Sequence, residues 1–176
     1  MKATRNREQV TLTWNALESR VLRQILDSIA AHYRVPPAQV DPRTAAVWYS
    51  SRGCETAGMS AEDTRDWLDQ LHGFKSANLG LITDWIKQLA QCQKGHYALR
   101  INLEQAARLV TVLNDHRLLA AAQHGIGQEE MDLPSQQALQ KLAPAQQVAL
   151  FEIHLLAWIV EELLQLIAPD AANWMR

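Results

Sequence analysis

Turn-forming residues are few in this chain, with 7 glycines and 6 prolines in 176 residues. A β-sandwich needs many turns along the whole chain, so this scarcity argues against an all-β sandwich and for helices. Cysteine is scarcer still. Cys54 and Cys92 lie far apart, form no CxxC pair and match no zinc spacing. A charge of one sign is also missing: 17 Lys and Arg against 19 Asp and Glu leave a net charge of −2. Such a chain carries no broad basic field to attract nucleic acid or anionic lipid. Its one local excess, Lys2, Arg5 and Arg7 ahead of Glu8, reads as a solvated tail. Long apolar runs are absent too. The most apolar stretch, Val148–Ile167, is broken by Glu152, His154, Glu161 and Glu162, which argues against a membrane span. Residues 2–9 are polar with no apolar run behind them, so no signal peptide is expected and the cytoplasm is the default address.

Motifs that carry chemistry are missing as well. There is no GxGxxG, P-loop or GxSxG run, which speaks against nucleotide binding of those kinds and against a nucleophile elbow. Six histidines are present, but none stands in HxxxH, HExxH or Glu-x-x-His spacing, so neither a metal site nor a cofactor is expected.

What remains is ordinary globular composition, 48% hydrophobic and 20% charged. The chain reads as one mainly α domain over residues 1–176: a bundle of about five helices with a small two-stranded β ribbon. Gln9–Trp14 alternates and suits a short strand. Asn15 with Glu18 makes a capping box for a helix whose apolar stripe is Leu17, Val21, Leu22, Ile25, Leu26, Ile29 and Tyr33, stopped by Pro36 and Pro37. Asp41–Met59 is less regular, with a short helix through Trp48 at most, and reads as the mobile loop. Ser60 caps a long helix with the stripe Trp67, Leu71, Phe74, Asn78, Ile82, Trp85 and Leu89. Gly73 and Gly80 inside it suggest a close helix approach, and Gly95 ends it. Tyr97–Asn102 alternates as a second strand that could pair with the first. Asn102 then caps a helix from Leu103 to about His124, stopped by Gly125 and Gly127. A polar, glutamine-rich connector leads to the last helix, from Pro144 to about Ile167.

The helix Leu103–His124 carries the most informative residues. At about 100° per residue, Leu103, Ala106, Ala107, Val110, Leu113, Leu118 and Ala121 cluster, with Asn114 and Arg117 in their midst. A buried guanidinium needs an acid or a ligand anion. On the last helix Glu161, with His154 nearby, stands at the edge of the apolar face, so Glu161 is the expected partner of Arg117. Asn78 could join the network. The five residues Asn78, Asn114, Arg117, His154 and Glu161 form either a polar lock that fixes helix packing or the lining of a small-ligand or enzymatic pocket. The last helix also has a second apolar face, Phe151, Leu155, Trp158 and Ile159, which suits an interface or a central position.

The run LVTVLNDHRLLAAAQHGIG, Leu109–Gly127, resembles a family of domains of unknown function, number two-thousand-seventeen. Its members are small, mostly actinobacterial proteins with an LND-x-RL run followed by small residues. LLAWIVEEL, Leu155–Leu163, is similar to the family's aromatic-rich ending, and Asn114, Asp115, Arg117 and Glu161 fall on its recurrent positions. The resemblance implies no established catalytic activity. It leans toward regulation, with genes often near that of the proteolytic adaptor ClpS. The connector Ser135–Gln147 departs from the family, and there is no closely spaced cysteine pair.

These readings favour a non-enzymatic regulatory or protein-interaction module that could self-associate through its last helix. A pocket on Asn114, Arg117 and Glu161 is the rival, and a DNA-binding regulator comes third. Cys54 and Cys92 have no pairing motif and an expected cytoplasmic setting, so both should remain free thiols. Thiol counting on freshly purified, unfolded protein should return two per chain, and a disulfide would revive a redox role.

Overall fold

In a computed structural model of the protein, residues 1–91 and 97–168 are described. The positions of Cys92 and Gly95 lie outside them. Three strands, β1 (Lys2–Asn6), β2 (Gln9–Trp14) and β3 (Tyr97–Asn102), form an antiparallel sheet in the order β1-β2-β3. The residues expected to be a solvated tail are therefore an edge strand, and the sheet has three strands rather than two. A two-residue turn at Arg7 and Glu8 pairs Asn6 with Gln9, and Arg7 takes a left-handed φ of 54 to close it. KATRN shows no inside–outside alternation because nearly all of it is exposed, which hides the strand from its pattern.

β2 and β3 do alternate. Val10, Leu12 and Trp14 face inward beside Leu99 and Ile101, with Val10 opposite Ile101 and Leu12 opposite Leu99. Both strands run directly into helices through capping asparagines. Asn15 and Glu18 close a capping box on α1 (Ala16–Tyr33), as expected, and Asn102 and Gln105 close another on α6 (Leu103–His124). Gly125, with a φ of 62, ends α6 in the left-handed conformation that glycine adopts most readily.

The remaining long helices are α4 (Ala61–Ser76), α5 (Leu79–Gln91) and α9 (Pro144–Ile167). About five helices is an undercount for two reasons. The expected long helix from Ser60 breaks at Ala77 and Asn78 into α4 and α5. The connectors also hold short helices: α2 (Pro42–Trp48), α3 (Arg52–Thr56), α7 (Gln128–Met131) and α8 (Ser135–Lys141). Gly73 and Gly80 do not mark a close approach, since a Cβ added at either would meet nothing within 4 Å. The Asp41–Met59 segment is not a bare loop either, because it buries Thr44, Trp48, Tyr49 and Cys54.

The sheet's inner face, α1, α5, α6 and α9 enclose the main core, with Leu26, Ile29, Ile82, Leu89, Leu113, Leu156 and Leu163 fully buried. A smaller apolar cluster of Ala120, Ile126, Ala138, Ala149, Leu150 and Ile153 joins the end of α6 to α8 and the start of α9. Asn102→Ala removes the side-chain acceptor from the N–H of Gln105. It should destabilise the chain by about 1 kcal/mol, and Asn102→Asp should restore most of that. Urea denaturation of the three proteins measures the difference.

Candidate functional site

The face that α6 buries differs from the one its composition suggests. Buried are Ala106, Leu109, Val112, Leu113, Asp115, His116, Leu119 and Ala120, while Asn114 is exposed and Arg117 is half-buried. Alanine and leucine run almost all round this helix, so its apolar direction is weakly defined, and tertiary packing sets the phase. One flank of α6 meets α9, and another meets α2 and α1. The expected network does not assemble. Arg117 Nη1 donates to Asn114 Oδ1 at 3.2 Å, and its buried Nε has no hydrogen-bond partner. His154 and Glu161 are exposed on α9. Asn78 is buried at the α4–α5 break, donating to Phe74 O at 3.4 Å with its Oδ1 unpartnered. No hydrogen bond or salt bridge links Arg117 to Glu161.

The residue that gathers the helices is Asp115. Its Oδ2 accepts from Tyr33 OH at 2.6 Å and from Lys75 Nζ at 2.7 Å, and its backbone carbonyl accepts from Trp48 Nε1 at 3.0 Å. The apolar stripe of α1 carries Tyr33 inward as its last residue, α2 ends on Trp48, and Lys75 lies in the last turn of α4. The Lys75 ammonium sits 4.9 Å from the Trp48 ring centre and 5.8 Å from that of Tyr33. These aromatic faces add cation–π attraction to the ion pair. Both charged side chains are shielded, with Lys75 15% and Asp115 11% exposed.

An aromatic shell surrounds this pair. Tyr33 packs against Trp48 at 5.5 Å between ring centres, Tyr49 meets the edge of Trp48 at 6.3 Å, and Tyr49 OH lies 3.3 Å from His72 Nδ1. Burial, and then the negative charge of Asp115, push the phenols of Tyr33 and Tyr49 above their ordinary value, that of Tyr33 very far above it. Tyr33 therefore stays protonated and donates to the carboxylate. Beside Tyr49, two open clefts reach the surface. One runs past Ser50, Ser51, Arg52 and Glu55, and the other past Pro37, Leu68 and Asp69. In the first, the Ser51 hydroxyl donates to Glu55 at 2.6 Å.

The chemistry available is that of a lock. The ammonium is spent on the carboxylate, and the carboxylate on two donors. Among the described residues, no group of three or more His, Cys, Asp or Glu side chains could hold a metal ion. Sequence reasoning missed Tyr33, Trp48 and Lys75 as parts of one site. Asp115 lies in the LNDHR run, but spacing of about 100° per residue turns it away from the Ala and Leu cluster, toward Glu104 and Arg108, the side expected to face solvent.

A second polar pair joins α6 to α9: His116 Nε2 lies 3.2 Å from Glu152 Oε1, and the buried His116 Nδ1 has no partner. Beyond Glu152 is the outer face of α9. Val148 is 67%, Phe151 66% and Trp158 39% exposed. Leu155 is half-buried among them. Ile159, grouped with this face on helical spacing, is instead buried at 3%, because one further residue turns it into the core between α1 and α9. The helix is thus neither wholly central nor wholly free. No described helix is long and apolar enough to cross a membrane.

A mainly helical fold locked by a buried Lys–Asp–Tyr cluster defines a structural class but no reaction. By sequence the chain belongs to the family described as "Domain of unknown function (DUF2017)", whose model matches residues 1–167. No curated protein and no solved structure matches it.

Asp115→Ala should leave the Lys75 ammonium buried without its counter-charge and cost roughly 3 kcal/mol, whereas Arg117→Ala should cost less than about 1 kcal/mol. Equal losses in urea denaturation would contradict the lock. The raised tyrosines add a pH signature. A folded-state value above the unfolded value of about 10 contributes stability that is intact below pH 10 and lost as the pH rises further. Alkaline destabilisation should therefore begin near pH 10, and Tyr33→Phe should flatten it.

Proposed function

We propose that this chain is a cytoplasmic, non-enzymatic interaction module with a regulatory role, and that its working surface is the outer face of α9. One observation carries the reading: Val148, Phe151, Leu155 and Trp158 follow one another at spacings of three, four and three, and stand at or near the surface. Apolar residues scattered singly on a surface need no explanation. Four in a row at seam spacing on one helix are the pattern by which helices pair, so the partner element is itself an amphipathic helix. Phenylalanine and tryptophan are also frequent anchors of protein interfaces. The closed state of the Asp115 cluster agrees, because its charged groups are occupied with each other. A free, buried Cys54 suits a reducing compartment.

Phe151→Glu should leave a cooperative unfolding transition within a few degrees of wild type, since its ring contributes little to the core. Ile159→Glu should abolish that transition. A photoreactive amino acid at position 151, in host cells, should cross-link to a discrete partner, while the same probe at exposed Gln128 should not. Identical cross-linking from both positions would sink this reading.

A further inference from the structure

The geometry points to a second copy of this chain as the occupant of the α9 face, with the two α9 helices packed antiparallel about a two-fold axis near Ile153. This inference rests on the interaction reading and names its partner. In an antiparallel helix pair the layers at the two seam positions combine across the axis. About residue 153, Val148 falls opposite Trp158 of the other copy, and Phe151 opposite Leu155. Each layer thus sets a larger side chain against a smaller one, as interdigitating cores require.

The charges complete the match. Extending the same seam outward brings Pro144, the first residue of α9, opposite Glu162 of the other copy. The first turn of α9 holds no acidic residue, and its only side-chain cap is the neutral Gln146 amide, which accepts from the N–H of Ala143 at 3.2 Å. That end carries the positive half of the helix dipole, which a carboxylate stabilises. The stretch Val148–Ile167 contains Glu152, Glu161 and Glu162 but no Lys or Arg of its own, and the cation that reaches its C-terminal end, Arg5, donates to Leu166 O rather than to a carboxylate, so positive charge from a partner is favourable near Glu162. In the antiparallel arrangement, the N-terminus of α9 itself supplies it. Glu152, which would approach its own copy near the axis, is drawn back onto His116 at 3.2 Å.

Sedimentation of the full chain should show a dimer. Phe151→Glu, which is felt twice in a symmetric contact, should weaken it by on the order of 100-fold, and Glu162→Lys by roughly tenfold. Direction is read by cysteine pairing. An oxidised mixture of Val148→Cys and Trp158→Cys chains should give the mixed disulfide, identified by peptide mass spectrometry, and Val148→Cys alone should not link to itself. Self-linking of Val148→Cys would overturn the antiparallel geometry. A wild-type monomer at millimolar concentration would overturn self-pairing. If the position 151 probe still captured a different protein, the interaction reading would survive without it, and if it captured nothing, both would fall.

Discussion

Asp115 accepts hydrogen bonds and charge from three helices other than its own, and the arrangement of those helices depends on it. Two of the three contribute little to the apolar core. Helix α4 buries no residue completely, and the seven-residue α2 buries only Thr44 and Trp48. Apolar burial alone would leave both free to slide, because the hydrophobic effect is non-directional. A shielded carboxylate at 2.6 Å from a phenol and 2.7 Å from an ammonium tolerates no such slippage, since any register that separates them leaves a charge buried alone. The Trp48 indole, donating to the carbonyl of the same residue, ties the third helix to the same point.

Helices α6 and α9 form the spine on which this cluster hangs. Leu109, Val112 and Leu113 of α6 share the main core with Leu156, Val160 and Leu163 of α9, and Ala120 shares the smaller cluster with Ala149, Leu150 and Ile153. His116 and Glu152 bridge the two helices between these clusters. With α9 anchored along its length, a stripe on its far side is held in fixed spacing. Rigid presentation of this kind lowers the ordering cost of binding.

Much of the fold was legible from residues. Strands β2 and β3 alternate, the asparagine capping boxes are local patterns, and the stripes of α1, from Leu22 onward, and of α5 are in phase with their burial, while Leu17 in the first turn of α1 is 68% exposed. What was not legible has identifiable causes. β1 is an exposed edge strand without a pattern. The α4–α5 break falls where the apolar stripe continues in phase, so periodicity runs straight through it. The polar cluster was misassigned because α6 is apolar on nearly every side, so a phase judged from Leu and Ala positions selected Asn114 and Arg117 over Asp115 and His116. Lys75, in the last turn of a mostly solvated helix, looks like any surface lysine. Only the approach of α4 to α1 brings it to the carboxylate.

Among the described residues the sheet has two edge strands, β1 and β3, and each is managed differently. At β3, the N–H of Arg100 is taken by Gln88 of α5 at 3.1 Å, so a helix side chain covers part of the ladder. At the other edge, β1 carries Lys2 and Arg5, and the Arg5 guanidinium reaches Leu166 O at the end of α9 at 2.7 Å. Positive side chains on an edge strand discourage another chain from adding to it. Behind them lies QVTLTW, a strand rich in β-prone residues with no charge of its own. The short basic strand at the start of the chain therefore acts as a guard. It gives β2 a neighbour on its outer side and keeps its most aggregation-prone edge from ever being the sheet's boundary.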